Sequence, residues 1–502
     1  MGCRVALSPY ERRPPILKSW HRTLFSKHLD TLVTMRTLRL LLIVLVAVGL
    51  TACDDFLDIN EDPNAATEAD PELLFPTILA NTASNRAIEF KADVNFFPQV
   101  WSSAGAAGVF NNPERYVVSP FSAGNTWNSI YQNQLKELDL IVQDAEANGF
   151  DNIVAQAQIM SGWSYLQATE LYGPIPFSEA INPDIARPAY DEQEDVLRGI
   201  VDLLEEAKGR ITDSPIVIGS SDLIYGGNME QWERFANSIQ MRALMLLRNG
   251  GASVDGEINA QLGRPMIRSV ADIARIPFFD QTGNENNLWK LLNQFSGGQN
   301  IWIHAGEPVI EIMNRDEDPR RATFFDENSA GEFAGSPPGV LGGDFSFVSL
   351  NIMRPDYPEI LINPAEILLL EAEFLEETGS SGRDKLEAGV RASMDFYDGQ
   401  PGAIDAAEKD AFIGRLLDRY DNASDKVEVI QEQLYVALTG QNPEGWTNWR
   451  RTKVPALELP QEAVFNTIIR RYPLPDNERT ANAENAAPFI GLEDVPMWFE
   501  GE

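Results

Sequence analysis

The sequence predicts a mostly α-helical fold: a tetratricopeptide-like helical-repeat scaffold with a loop-rich lobe and little β-structure. Three observations predict it. Apolar residues recur every three or four positions over long segments, the period of a helix that buries one face. The segments follow one another in pairs, as in degenerate helical repeats. Between about 251 and 360 the period breaks, and Gly, Pro, Asn and aromatic residues dominate in FFDQTGNENNLW, FSGGQNIWIH and AGSPPGVLGGDFSF. Long irregular connections on a helical frame are where binding surfaces usually lie.

Each helix has its own signal. Residues 71–92 place Leu74, Ile78 and Leu79 on one side, and 126–147 align Trp127, Ile130, Tyr131, Leu135, Leu138 and Ile141. A helix over 152–172 stops at Gly173-Pro174, a strong breaker. Residues 190–211 carry Val196, Ile200, Leu203 and Leu204, and 229–247 form another long helix. At 363–366 (NPAE), Asn363 is the expected N-cap and Pro364 the first helical residue, with Glu366 placed to reach back to the cap amide. Gly379 ends that helix, and 383–398, 404–419 and 424–439 complete the set.

The first 52 residues read as targeting, not fold. MRTLR at 35–39 is basic, and the apolar run LLLIVLVAVGL at 40–50 is shorter than the roughly 20 residues of a membrane span. That order fits a secretory signal at 35–52, and the LTAC that closes it fits a lipobox with Cys53 as the lipidated residue. Residues 1–34 lack an apolar run of this kind, so they are expected to be a mis-assigned N-terminal extension, with Met35 the true start. The mature chain, 53–502, then reads as one globular unit without an interdomain linker. Its single cysteine leaves no internal disulfide.

Composition excludes several functions. The full chain has 40 basic and 75 acidic residues, and 53–502 retain 32 and 73, a net charge of −41. Nucleic-acid binding needs clustered Lys and Arg, so that class is excluded. The mature part keeps only His304, expected to be a packed or surface residue, which leaves little for a zinc site. No phosphate-loop, dinucleotide or metalloprotease motif occurs in a convincing setting. No carboxylate pair stands out as a glycosidase site among so many acids. NRDEDP (314–319) gathers hard oxygens that suit calcium, but a solvated acidic turn is the preferred reading, and no cofactor is expected.

Six strings in order resemble one family. They are CDDFLDINEDPN (53–64), ELYGPIPFSEA (170–180), LIYGGNMEQWERFANSIQMRALM (223–245), NPAEILLLEAEFL (363–375), GWTNWRRTKVPAL (445–457) and RRYPLPDNE (470–478). Together they resemble the SusD/RagB-like outer-membrane lipoproteins, closest to the branch with the LDIN-DPN opening. The resemblance implies a tetratricopeptide-like fold and a non-catalytic lipoprotein of the outer membrane, facing the cell exterior. It implies a partner, a TonB-dependent SusC-like transporter, to which captured oligosaccharides are delivered. Asp54 and Asp55 after the lipidated cysteine resemble the surface-export signal of such lipoproteins. Trp446, Trp449, Arg450 and Arg451 read as a packed helix end with arginines pairing to acids, in preference to a stacking and cation site.

Ligand contacts vary within that family, so candidates are chosen on chemistry. Aromatic rings stack on the C–H faces of sugars, and amides and carboxylates bind the hydroxyls. The ligand-binding candidates are aromatics and amides in Gly-rich, polar surroundings: Trp101, Phe110, Tyr116, Asn284, Asn286, Asn287, Trp289 and Trp302. Three alternatives stay open: a peptide or other non-sugar nutrient, a surface glycoside hydrolase, and a scaffold that binds only proteins.

Overall fold

Asp70 caps the first described helix, α1 (Pro71–Asn85), by accepting the Glu72 amide at 2.9 Å, with Pro71 in the first turn where no amide is needed. The computed structural model describes residues 70–90, 93–105, 108–118, 120–441 and 443–501. All belong to one compact unit, Glu68–Glu502. The extension, the signal, Cys53 and the acidic residues behind it lie outside the described residues.

The expected helices form, with shifted ends. α2 (Pro120–Ile130) runs through a wide turn at Tyr131–Leu135 into α3 (Lys136–Asn148). This pair starts six residues before the expected 126, because Pro120 is a good first-turn residue. Next come α4 (Asp151–Tyr172), α5 (Gln193–Gly209) and α6 (Met229–Asn249). α4 is buried almost all round, since α3 packs on one side and α5 and α6 on the others. Gly199 lets α5 approach closely: a Cβ there would sit 2.2 Å from the ring of Phe177.

The lobe expected to be irregular also contains helices: α7 (Asp255–Leu262), α8 (Asn287–Ser296) and α9 (Glu307–Arg315). The scaffold resumes with α10 (Pro364–Glu377), α11 (Arg383–Asp395), α12 (Ala406–Asn422), α13 (Lys426–Ala437) and α14 (Glu444–Thr452). α10 packs on both α11 and α13. Among the described residues the β-structure is two small antiparallel ribbons. β1 (Trp101–Ser103) pairs with β3 (Ile303–Ala305), and β2 (Ala274–Ile276) pairs with β4 (Glu359–Ile362) across a bulge.

One local expectation fails. Asn363 does cap α10, accepting the Glu366 amide at 2.9 Å. The Glu366 carboxyl, however, turns inward and stands 3.2 Å from Arg242. Burial beside a guanidinium wins over a cap amide, because the charged pair is the stronger interaction.

Two apolar cores result. The larger one fills the helical scaffold. The second lies under the lobe and gathers Trp101, Leu292, Trp302, Val309, Phe324 and Tyr357, among others. The cores meet at consecutive residues. Phe96 belongs to the lobe core and Phe97 to the scaffold core; Tyr435 and Val436 face the lobe, while Leu434 and Ala437 face the scaffold.

Inside the scaffold sits a buried ion network. Arg242 donates to Glu170 at 2.7 and 2.9 Å and reaches Glu366 and Glu444. Arg86 pairs with Glu359 at 2.9 Å and with Glu444 at 3.1 Å. Arg451 grips Glu373 with two bonds, at 2.7 and 2.6 Å. Fully desolvated pairs of this kind are strongly destabilising to break, whatever their net contribution.

A candidate ligand-binding face

The β1–β3 ribbon brings the loop after β1 to the segment before β3: the Ala104 amide donates to the Trp302 carbonyl at 2.8 Å. Leu341 closes against the same turn, with its Cβ 3.1 Å from where a Cβ on Gly105 would lie. Glu114 fastens these pieces together. Its buried carboxylate accepts from the Ser102 hydroxyl, the Ser103 amide at 2.7 Å and the Gly339 amide at 3.1 Å. Burial pushes this carboxyl above the usual range.

The candidates divide between this face and the interior. Trp101 opens β1 and is 2 % exposed, edge-on to Phe96 at 6.3 Å, and its indole N–H finds no partner among the described residues. Tyr116 is buried edge-on to Phe97 at 5.9 Å. Trp302 is 5 % exposed. Asn286 caps α8, accepting the Leu288 amide at 2.9 Å and donating to the Tyr357 carbonyl at 3.0 Å. Asn287 donates to the Ser84 carbonyl at 3.3 Å. In this conformation Trp101, Tyr116 and Trp302 offer no open ring, because each lies inside one of the two cores. Both asparagines hold backbone instead of facing solvent.

Three candidates keep open surface. Phe110 is half-buried, stacked on Phe96 at 5.5 Å, and adopts a left-handed φ of 63° ahead of the single-turn helix Asn111–Glu114. Trp289 is half-buried on α8, its ring covering Gly298, where a Cβ would be only 2.7 Å away. Asn284 is exposed, and its carbonyl accepts the Phe279 amide. A further open ring, outside the candidates chosen from the sequence, is Phe295. It is 64 % exposed at the end of α8, 6.4 Å from the Trp302 ring. Ile301 and Leu341 are also exposed, and Phe279 is open near Asn284. Phe279 and Phe295 stand in FFDQTGNENNLW and FSGGQNIWIH, so the same aromatic-in-polar-loop signal marked them.

Around the ribbon the structure therefore assembles a surface of Phe110, Leu341, Ile301 and Phe295, backed by Trp302 and flanked by Trp289. His304 lies behind it, packed on Phe347 at 4.5 Å, and burial holds its imidazole down to about 4, so it is neutral. In NRDEDP the carboxylates go to arginines: Asp318 to Arg320, and Asp316 to Arg315 and Arg419. No group of three acidic, His or Cys side chains suited to a metal occurs among the described residues.

A family model, SusD-like, described as starch-binding and associating with the outer membrane, matches residues 63–475. The chain belongs to the SusD-like family. Solved structures share its fold. A SusD homologue from Bacteroides fragilis is 22 % identical with a TM-score of 0.71, covering 86 % of this chain and 99 % of its own. A chitin-binding protein is 21 % identical with a TM-score of 0.75, covering 86 % and 100 %. A chitin-binding SusD homologue from Flavobacterium johnsoniae is 20 % identical with a TM-score of 0.69, covering 86 % and 98 %. No curated protein matches the chain.

Two of the SusD-like strings are structural here. Asp222, just before LIYGG, accepts the amides of Ile224, Tyr225 and Gly227 and the Trp232 indole, and so builds the turn that starts α6. In GWTNWRRT, Arg450 lies 3.7 Å over Trp446 and donates to the carbonyls of Glu170 and Arg470. Arg451 takes an acid as expected, whereas Arg450 takes backbone oxygens. No described helix is long and apolar enough to cross a membrane.

Proposed function

We propose that this SusD-like chain is a non-catalytic lipoprotein of the outer membrane, anchored through Cys53 and facing the cell exterior. It captures oligosaccharides on the surface around Phe110, Trp289 and Phe295 and delivers them to a TonB-dependent SusC-like transporter. Membership of a family described as starch-binding and outer-membrane-associated carries this reading. The chitin-binding descriptions of two fold relatives support it. The chemistry agrees: half-open rings beside exposed amides suit pyranose faces and hydroxyls.

The test is calorimetry of the protein against starch and chitin oligosaccharides, with Phe295→Ala and Trp289→Ala variants beside it. Binding that both variants weaken by about 1–3 kcal/mol, with unfolding unchanged, is the expected result, a stacked ring being worth that much. Binding unaffected by either variant places the sugar elsewhere. Hydrolysis of any bound glycan overturns the non-catalytic reading.

A further inference from the structure

A cleft of about 530 Å3 lies where the last turn of α9 meets α12, at the end of α9 away from the β1–β3 ribbon. Its size is that of a small-ligand site. Arg315, Asp316 and Glu317 line it from one side, and Arg415, Leu416 and Arg419 from the other. The mature chain carries a net charge of −41 and repels anions at long range, so three guanidinium groups on one cleft are a local exception.

The two buried carboxylates here are fully engaged. Asp316 accepts from Arg315 at 2.9 and 3.0 Å and from Arg419 at 2.6 Å. Glu432, on α13, accepts from Arg315 at 2.9 and 2.8 Å and from Arg419 as well. This square of two cations and two anions is neutral, and it fixes both guanidinium planes. Arg415 stands outside it. It donates to the Glu317 carbonyl at 3.0 Å, and its carboxylate partner among the described residues, Glu317, is 3.8 Å away and 73 % exposed. Arg321 holds the same turn through the Asp318 carbonyl and the Asn314 side chain, and pairs with no carboxylate among the described residues. Most N–H groups of Arg415 and Arg419 meet no acceptor among the described residues.

The backbone supplies a second observation. α9 ends in a Schellman turn, the Asp318 amide donating to the Met313 carbonyl at 2.8 Å and the Glu317 amide to the Asn314 carbonyl at 3.3 Å. Glu317 takes its left-handed position, with φ 49°, where glycine is favoured. Strain of this kind persists at ligand sites, and here it sets a loosely held carboxylate against Arg415. The uncommitted groups are donors on planar forks, and their complement is a planar carboxylate, which a guanidinium grips with two parallel bonds. We propose that this cleft binds the carboxylate of an acidic sugar, which displaces Glu317 from Arg415. The choice of a sugar as the carrier rests on the oligosaccharide reading above; the choice of a carboxylate rests on the cleft alone.

The experiment is calorimetry of the protein with trigalacturonate, its fully methyl-esterified counterpart and triglutamate, at about 0.1 M salt. Trigalacturonate is expected to bind about tenfold tighter than the ester, to lose that preference in Arg415→Gln, and to bind tighter in Glu317→Gly, which frees Arg415. Arg415 is half-exposed, and circular dichroism checks that its variant stays folded. Equal affinity for acid and ester, binding of neither, a preference that survives Arg415→Gln, or binding weakened by Glu317→Gly overturns the proposal. So does triglutamate that binds as tightly as trigalacturonate, which is charge attraction alone. Trigalacturonate binding without starch or chitin binding keeps the cleft and removes the aromatic surface, and the reverse removes the cleft.

Discussion

The scaffold buries more acid than base, and its stability should show it. Arg242 pairs with Glu170, Glu366 and Glu444, and Arg86 with Glu359 and Glu444, so carboxylates gather around two shared guanidinium groups. Burial pushes the carboxyls of Glu170 and Glu366 from 4.5 to about 7 against the pull of Arg242. The folded chain thus holds these protons more tightly than the unfolded chain. Their contribution is fully present below pH 4.5, falls as the pH rises, and is lost above about 7. At 1.36 kcal/mol per pH unit, holding one such proton from 4.5 to about 7 is worth about 3 kcal/mol. The two glutamates share a guanidinium, so they titrate as a coupled pair in two steps, and the worth of one proton is the lower figure for the pair. Urea unfolding followed by circular dichroism should therefore lose at least about 3 kcal/mol between roughly pH 5 and pH 8. Glu366→Gln keeps the shape, carries no charge, and should remove about half of that slope, leaving the part that belongs to Glu170. Glu205, held down to about 2 by Arg264, Lys208 and Gln240, acts with the opposite sign and only below pH 4.5. A flat profile, a rise with pH, or an unchanged slope in Glu366→Gln would refute the reasoning.

Other outcomes follow from the packing. Trp101→Ala should lower the unfolding free energy by about 3–5 kcal/mol, because its ring fills the lobe core, while Phe295→Ala should stay within about 1 kcal/mol and act on binding instead. Gly306→Ala should cost more than about 2 kcal/mol in the same assay, since its Cβ would stand 1.8 Å from the Gln99 carbonyl oxygen and the β1–β3 ribbon cannot yield without parting. Arg451→Met strands the buried Glu373 carboxylate and should cost about 3–5 kcal/mol, most of it recovered in the Arg451→Met/Glu373→Met double variant.

The scaffold was legible because a helix that buries one face repeats every three or four residues, and Gly173 and Gly379 end helices where their positive φ allows. The lobe was less so. α8 and α9 span 10 and 9 residues, too few turns for the period to stand clear of the loops around them. NENNLW looked like loop, yet Asn286 followed by Leu288 and Leu292 is a capped helix start, a signal present but unread. The burial of Trp101 was illegible for a different reason. QVWSSAG has the composition of a loop, and only a strand some 200 residues further on turns it into β1 and closes the lobe core over the indole. Local pattern carries no information about such a pairing. Phe295 needed only that a Phe be weighed like a Trp.

Phe96 and Phe97 point into different cores, and Leu434, Tyr435, Val436 and Ala437 are divided between the same two. A jaw that closes on its prey needs a strip of chain free of anchoring side chains. Here that strip is riveted on both sides, so swinging the lobe would extract large rings from both cores at once. The protein is a mould rather than a clamp. On the proposed reading, sugars would be told apart by what lines the rim, and new specificities would arise by recasting a few rim residues while the rivets stay in place.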